Sequence, residues 1–90
     1  MQLDEVIDDL REFIAREILA GDGAELDAET PLLAWGILDS LTLVTLLDHL
    51  ERRFGIRIPP SEATPDQLET IRAVAELVVR LAAGMEEGAL

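Results

Sequence analysis

Hydrophobic residues recur with a helical period in three separate stretches of the chain. The first stretch has intervals of three and four residues, the spacing of one buried face of an α-helix: Leu3, Val6, Ile7, Leu10, Ile14 and Ile18. Phe13 lies at the edge of this stripe, and the opposite face is acidic. The pattern predicts a first helix of about 16 to 18 residues, ended by Gly21-Asp22-Gly23 because glycine leaves a helix at little cost.

Two further stripes predict two more long helices. The second predicts a helix from about Ser40 to Phe54, stopped by Gly55, with an apolar face made of Leu43, Leu46, Leu47, Leu50 and Phe54. The third predicts a last helix that Thr70 would cap, and it consists of Ile71, Val74, Ala75, Val78 and Leu81.

Prolines limit what lies between the second and third stripes. Pro59-Pro60 bars regular structure, and Thr64-Pro65 leaves room for one short helix with the proline at its first position. No stretch alternates with the period of a strand, so the predicted fold is all-α, an antiparallel four-helix bundle of three long helices and one short third helix. Residues 1–83 form its one domain, and residues 84–90, which lack a stripe, are predicted to be a flexible tail.

A long connection, residues 24–38, precedes the second helix. A loop of this length is usually functional or held by apolar anchors, and the candidate anchors are Leu32, Leu33, Trp35, Ile37 and Leu38. Trp35 is predicted to anchor the loop to the core, with a role in recognition as the alternative. The acidic run from Asp22 to Glu29 raises the question of calcium. A twelve-residue calcium loop starting at Asp22 would place Ala24 and Leu26 at ligand positions and Asp27 at the glycine position, so no metal site is predicted.

Charge and composition narrow the classes of partner. The formal charge of −12 argues against nucleic acid and favours basic partner surfaces, although residues 30–60 hold only three acids against three arginines. The chain has no cysteine, so any thiol chemistry must come from an attached group. No apolar stretch reaches membrane-spanning length and no signal peptide is evident, so we expect a cytoplasmic monomer without membrane insertion.

The start of the second helix is the chemically suggestive position. Asp39 is a strong N-cap residue, and Ser40 then falls at the first helical position, where the dipole favours an attached phosphate. A catalytic serine is the alternative. The only histidine, His49, lies nine residues further along the same helix, about 13 Å of rise, beyond hydrogen-bond reach. We therefore predict no catalytic residue and interpret His49 as a partly exposed surface residue.

The motif Asp39-Ser40-Leu41, with Phe54-Gly55-Ile56 and Ile58-Pro59 downstream, resembles the acyl carrier protein family, which includes peptidyl and D-alanyl carriers. The resemblance covers roughly residues 3 to 82, so it implies that residues 1–83 are a carrier domain. It implies that Ser40 receives 4′-phosphopantetheine from coenzyme A, by a phosphopantetheinyl transferase with Mg²⁺. It also implies that Asp39 and the helix N-terminus hold the phosphodiester, while other enzymes perform the catalysis.

The outer face of the second helix is the expected docking surface for those enzymes. The candidate partner-recognition residues are Leu41, Val44, Thr45, Asp48 and Arg52. Fatty-acid carriers usually present a strongly acidic second helix, and this chain departs from that pattern. The departure argues against a role in fatty-acid synthesis.

Local motifs indicate a subgroup. Gly36-Ile37-Leu38-Asp39-Ser40 is similar to D-alanyl carriers and to discrete carriers of secondary metabolism, and residues 64–71 resemble those of discrete polyketide carriers. The predicted function is a discrete acyl or aminoacyl carrier of a polyketide or nonribosomal peptide pathway. An adenylating or acyl-loading enzyme and an acyltransferase or ketosynthase would be its partners. The alternatives are a D-alanyl carrier of cell-wall modification and an acidic helical adaptor without a prosthetic group.

Overall fold

The computed structural model describes residues 2–19 and 26–88, with side chains up to residue 84. Its four α-helices are α1 (Leu3–Phe13), α2 (Ser40–Phe54), α3 (Pro65–Leu68) and α4 (Ile71–Gly88). A π-helical segment, Ile14–Ile18, continues α1, and a 3₁₀ turn, Pro60–Glu62, precedes α3. Within these described ranges no strand is present, and the predicted all-α fold of three long helices and a short third one is confirmed.

The first helix has the predicted length but a wider last turn. Leu19 N–H donates to Ile14 O at 2.9 Å, a five-residue spacing in place of the usual four. Phe13, which the sequence places at the edge of the apolar stripe, is buried in the core. Gly21-Asp22-Gly23, the predicted end of this helix, lies outside the described residues.

The core lies mainly between α1 and α4. The wholly buried side chains of these two helices and of the π-helical segment are Val6, Leu10, Ile14, Ile71, Val74, Ala75, Leu77 and Val78. Leu77 is absent from the predicted stripe of α4, whereas Leu81, predicted within it, is only partly buried. From α2, Leu46 and Leu50 are fully buried, so α2 contributes a narrower buried face than its stripe predicted.

Threonines cap the last two helices, as the sequence predicted. Thr64 Oγ1 accepts from Gln67 N–H at 3.4 Å, with Pro65 as the first residue of α3. Thr70 Oγ1 accepts from Ala73 N–H at 3.0 Å at the start of α4. The helix then continues beyond Gly84 to Gly88, further than the loss of the apolar stripe suggested. Flexibility of residues 84–90 stays a prediction.

The connection before α2 is fastened to the start of α4. Leu32 N–H donates to Glu69 O at 2.8 Å, and Arg72 N–H donates to Ala28 O at 2.9 Å. The buried side chains of Leu26, Leu32 and Leu38 hold the same connection to the core. These contacts fix the entry of the chain into α2. No helix among the described residues combines the length and hydropathy that crossing a bilayer requires.

Candidate functional site

A reciprocal capping arrangement opens α2. Asp39 Oδ1 accepts from the N–H groups of Leu41 at 3.0 Å and Thr42 at 2.9 Å. Thr42 Oγ1 in turn accepts from Asp39 N–H at 2.8 Å, which completes a capping box. The hydroxyl proton of Thr42 has two acceptors within 3.1 Å, Ile37 O and Asp39 Oδ1. The first turn of α2 is therefore tied both to its cap and to the preceding loop.

These hydrogen bonds also set the charge at the helix start. The backbone N–H of Thr42, followed by its hydroxyl, lowers the pKa of Asp39 below the usual 3.8. Both groups stabilise the ionised carboxylate, because donated hydrogen bonds favour the charged form. Asp39 is thus a fixed negative charge, and it occupies two of the N–H groups that an anion could otherwise use.

Ser40 is exposed as the first residue of α2. Among the hydrogen bonds of residues 2–19 and 26–88, none involves Ser40 Oγ. The hydroxyl therefore faces solvent and is open to an approaching enzyme. This geometry fits an attached phosphopantetheine, because a long arm needs an exposed oxygen on a fixed support.

The five predicted recognition residues share the solvent-exposed face of α2. Leu41 is 75% exposed and Val44 is 64% exposed, and Thr45, Asp48 and Arg52 are also exposed. Arg52 Nε pairs with Asp48 Oδ1 at 3.2 Å, one helical turn away, so this part of the face neutralises its own charge. Their exposure agrees with the expectation, while their role in recognition stays a prediction.

Trp35 does not anchor the loop, so that prediction was wrong. Its side chain is 62% exposed. Of the other candidate anchors, Leu32 and Leu38 are the two whose side chains are buried in the core. Gly36 adopts a left-handed backbone conformation (φ +71°) at the turn between them, where the chain faces solvent. Apolar character alone did not reveal which residues of a non-periodic segment would be buried.

His49 is partly buried and joins α2 to α1. Its Nε2 lies 2.9 Å from Asp9 Oδ2, and its ring stacks on Phe13 with 3.8 Å between ring centroids. Asp9 Oδ1 also accepts from Arg53 Nε at 3.2 Å. The prediction of partial exposure holds, but no local pattern indicated a contact across 40 residues. His49 is occupied with α1 and does not serve Ser40 as a base.

Two features of the described residues bear on other chemistry. They contain no cluster of three or more histidine, cysteine or acidic residues that could hold a metal ion. A shallow groove of about 400 Å³ runs between α1 and the second half of α2, lined by Phe13, Thr45, Asp48, His49, Arg52 and Arg53. It opens widely to solvent, shares Thr45, Asp48 and Arg52 with the predicted recognition residues, and lies away from the first turn of α2.

Comparison with known proteins agrees with this geometry. Residues 8–78 match the family model described as the phosphopantetheine attachment site. The probable acyl carrier protein PigG of a Serratia species is 35% identical over 83% of this chain and 86% of PigG. The D-alanyl carrier protein of Streptococcus sanguinis is 37% identical over 76% of this chain and 85% of that protein.

Two further matches differ in context. The lincomycin biosynthesis protein LmbN of Streptomyces lincolnensis is 39% identical over 88% of this chain, which spans only 27% of LmbN. A chain in a crystal structure described as that of an FAD-dependent dehydrogenase is 41% identical, with a TM-score of 0.75. The match covers 78% of this chain and 99% of that one. On the family match and these relatives, the chain belongs to the acyl carrier protein family, whose members bear 4′-phosphopantetheine.

Proposed function

We propose that this carrier protein bears its phosphopantetheine on Ser40 Oγ. The observation that carries the proposal is the position of Ser40. It is an exposed hydroxyl at the capped start of α2, within the region that matches the attachment-site family. The only other serine, Ser61, lies in the 3₁₀ turn before α3, without a preceding acidic cap.

The chain would contribute a nucleophile and a support to this modification. Ser40 Oγ attacks the diphosphate of coenzyme A, a new O–P bond forms, and adenosine 3′,5′-bisphosphate leaves. The serine proton passes to a base of the transferase, because His49 is engaged with Asp9. Once attached, the arm supplies a terminal thiol that holds acyl groups as thioesters.

Asp39 acts in this proposal as a positioning residue. Its carboxylate accepts the N–H groups of Leu41 and Thr42, and an ionised carboxylate would repel a neighbouring phosphodiester. Direct binding of the phosphodiester by Asp39, as the resemblance implied, thus has less support than capping. Asp39 instead keeps the first turn of α2 rigid, so that Ser40 is presented in one orientation.

The pathway we favour is secondary metabolism. The similarity to PigG over most of that carrier's length supports a discrete acyl carrier, and the similarity to part of LmbN, a lincomycin biosynthesis protein, supports a pathway of secondary metabolism. Within such pathways we favour a discrete acyl or aminoacyl carrier of polyketide or nonribosomal peptide type. The near-neutral exposed face of α2 agrees with this choice, since it lacks the acidic surface of fatty-acid carriers. Its partners would then be a transferase, an adenylating or acyl-loading enzyme, and an acyltransferase or ketosynthase.

Two observations support other cargo chemistry. The match to a streptococcal D-alanyl carrier protein supports D-alanine as the alternative cargo. The match to a chain in the crystal structure of an FAD-dependent dehydrogenase supports a flavin-dependent dehydrogenase among the enzymes that act on the cargo. Such an enzyme would remove two hydrogen atoms from the thioester-bound group, with the flavin as electron acceptor. Mass measurement of the loaded carrier before and after incubation with the dehydrogenase would detect that loss.

Intact-mass measurement tests the carrier function itself. The chain is incubated with coenzyme A, Mg²⁺ and a broad-specificity phosphopantetheinyl transferase. A carrier gains the mass of one phosphopantetheine, whereas an adaptor without a prosthetic group keeps its mass. Loading of the product with a panel of amino acids and other carboxylic acids by adenylating enzymes would then separate D-alanine from the amino acids and acyl groups of secondary metabolism.

A further inference from the structure

We propose that Trp35 is a principal contact for the phosphopantetheinyl transferase, inserting into an apolar pocket on that enzyme. The inference rests on the proposed modification of Ser40. It adds a contact from the loop before α2 to the helix face already considered. The transferase is the natural occupant because its active site must reach Ser40 Oγ and therefore covers the surface around it.

The large exposed apolar side chains that the structure describes lie close to Ser40 along the chain. Within the described residues, the large hydrophobic side chains that are exposed all fall between positions 33 and 44: Leu33, Trp35, Leu41 and Val44. Single exposed apolar residues need no explanation, but a group on both sides of one reactive residue indicates a contact surface. Trp35 offers the largest side chain of the group, and tryptophan is enriched among the residues that dominate interface energies.

The loop holds Trp35 in place before any partner arrives. Trp35 N–H donates to Pro31 O at 3.0 Å, and Gly36 N–H donates to Leu33 O at 3.1 Å. The carbonyl oxygen of Leu32, whose side chain is wholly buried, accepts from the N–H groups of residues 37 and 38 at the end of the turn. A preorganised loop loses little conformational entropy on binding, so more of the contact energy remains as affinity.

Chain geometry places Trp35 within range of an enzyme bound at Ser40. Five residues of fully extended chain span at most about 17 Å, and the turn at residues 32–38 shortens that span. A standard interface buries about 800 Å² on each partner, which corresponds to a patch on the order of 30 Å across. A transferase centred on the first turn of α2 can therefore reach the loop that carries Trp35.

The charge of the surface around Trp35 indicates what kind of partner surface would fit it. Between residues 33 and 44 the sole charged residue is Asp39, and its carboxylate is engaged in the helix cap. An apolar pocket therefore matches this patch better than a basic one. A second copy of the chain is a poor match, because each copy carries a formal charge of −12 and the two would repel.

Steady-state loading kinetics of three variants test the inference. Phosphopantetheine transfer from coenzyme A by a broad-specificity transferase is measured for wild type, Trp35→Ala, Trp35→Phe and the control Arg57→Ala. Arg57 is exposed and follows the opposite end of α2. We expect Trp35→Ala to raise KM and so to lower kcat/KM about tenfold or more, because a dominant contact is lost. Trp35→Phe should keep most of the wild-type value, and Arg57→Ala all of it.

The possible results separate the two proposals. Circular dichroism and thermal unfolding of Trp35→Ala should match wild type, because the side chain is largely exposed. If wild type is loaded and Trp35→Ala is loaded with the same KM, the inference is overturned while the function of Ser40 stands. A wild-type dimer that Trp35→Ala dissociates in sedimentation experiments would also overturn it, by assigning the patch to self-association. Failure of wild type to load would instead contradict the proposed function.

Discussion

Asp39 and Thr42 hold each other at the start of α2: Asp39 N–H donates to Thr42 Oγ1 at 2.8 Å, and Thr42 N–H donates to Asp39 Oδ1 at 2.9 Å. Ser40 lies between these two residues, so its backbone is fixed by their exchange of hydrogen bonds. The exposed hydroxyl therefore stands on a rigid backbone, although its oxygen makes no hydrogen bond within the described residues. This arrangement makes the capping box part of the functional site.

Replacement of Thr42 by valine tests that connection. The substitution keeps the shape of the side chain but removes the partner of Asp39 N–H and the hydrogen bond to Ile37 O. We expect the free energy of unfolding to fall by about 1 kcal/mol, the usual loss for such a hydrogen bond. Phosphopantetheine loading should slow without being abolished. Thr42→Ser, which keeps the hydroxyl, is the matched control, and equal loading rates for the two variants would contradict the role of the capping box.

Because Asp39 caps α2 in its ionised form, we expect the free energy of unfolding to depend on pH. Hydrogen bonds from Thr42 lower the pKa of Asp39 in the folded protein below 3.8. The stabilisation that the ionised Asp39 carboxylate gives to the folded state is therefore fully present above pH 3.8. As the pH falls through the lowered pKa, the carboxylate is protonated and that contribution is lost. The substitution Asp39→Asn supplies a comparison, because an asparagine caps the helix without titrating.

Urea unfolding from pH 7 to pH 3 measures this effect. We expect wild type to be more stable than Asp39→Asn at neutral pH, with a difference that is constant at first and shrinks below pH 3.8. A difference that stayed constant down to pH 3 would show that the charge of Asp39 contributes nothing to the folded state.

His49 is predicted to stabilise the fold without taking part in loading. His49→Ala removes the ring stacked on Phe13 and the hydrogen bond to Asp9. We expect a loss of about 1–2 kcal/mol in the free energy of unfolding. His49→Phe keeps an aromatic ring and should recover part of that loss. Loading of Ser40 at the wild-type rate at pH 7 is expected for both variants, and a large loss of loading rate would point to a chemical role for His49.

Two leucines on one helix separate packing from recognition. Leu46 is wholly buried and Leu41 is 75% exposed. We expect Leu46→Ala to lower the free energy of unfolding by about 2–5 kcal/mol, because it leaves a cavity in the core. Leu41→Ala should change stability by less than about 0.5 kcal/mol. Phosphopantetheine loading by the transferase should be affected more by Leu41→Ala than by Leu46→Ala, and we expect Leu41→Ala to raise KM.

Periodic positions were predictable from the sequence because a helix repeats its environment every three to four residues. The stripes located α1, α2 and α4, and the threonines and Asp39 indicated the helix starts through the local chemistry of capping. These features depend only on residues close together in the chain. The exposed position of Ser40 followed from the same local reasoning.

The surroundings of Trp35 and His49 were harder to predict from the sequence, because they depend on distant parts of the chain. The loop residues have no period, so hydrophobicity favoured burial of Trp35 as much as that of Leu32 and Leu38, and of these three only the two leucines are buried in the core. The partners of His49 are Asp9 and Phe13 on another helix, and no local pattern specifies which residues meet across a bundle. In both cases tertiary packing decided what the local sequence left open.

Site-resolved mass spectrometry of the loaded protein tests the central claim most directly. Wild type, Ser40→Ala and Ser61→Ala are each incubated with coenzyme A, Mg²⁺ and the transferase, and the modified peptide is sequenced. Both serines are exposed, so Ser61→Ala is the matched control. The account predicts one phosphopantetheine on wild type and on Ser61→Ala, located at Ser40, and none on Ser40→Ala. Modification of Ser40→Ala, or a wild type that stays unmodified, would contradict it.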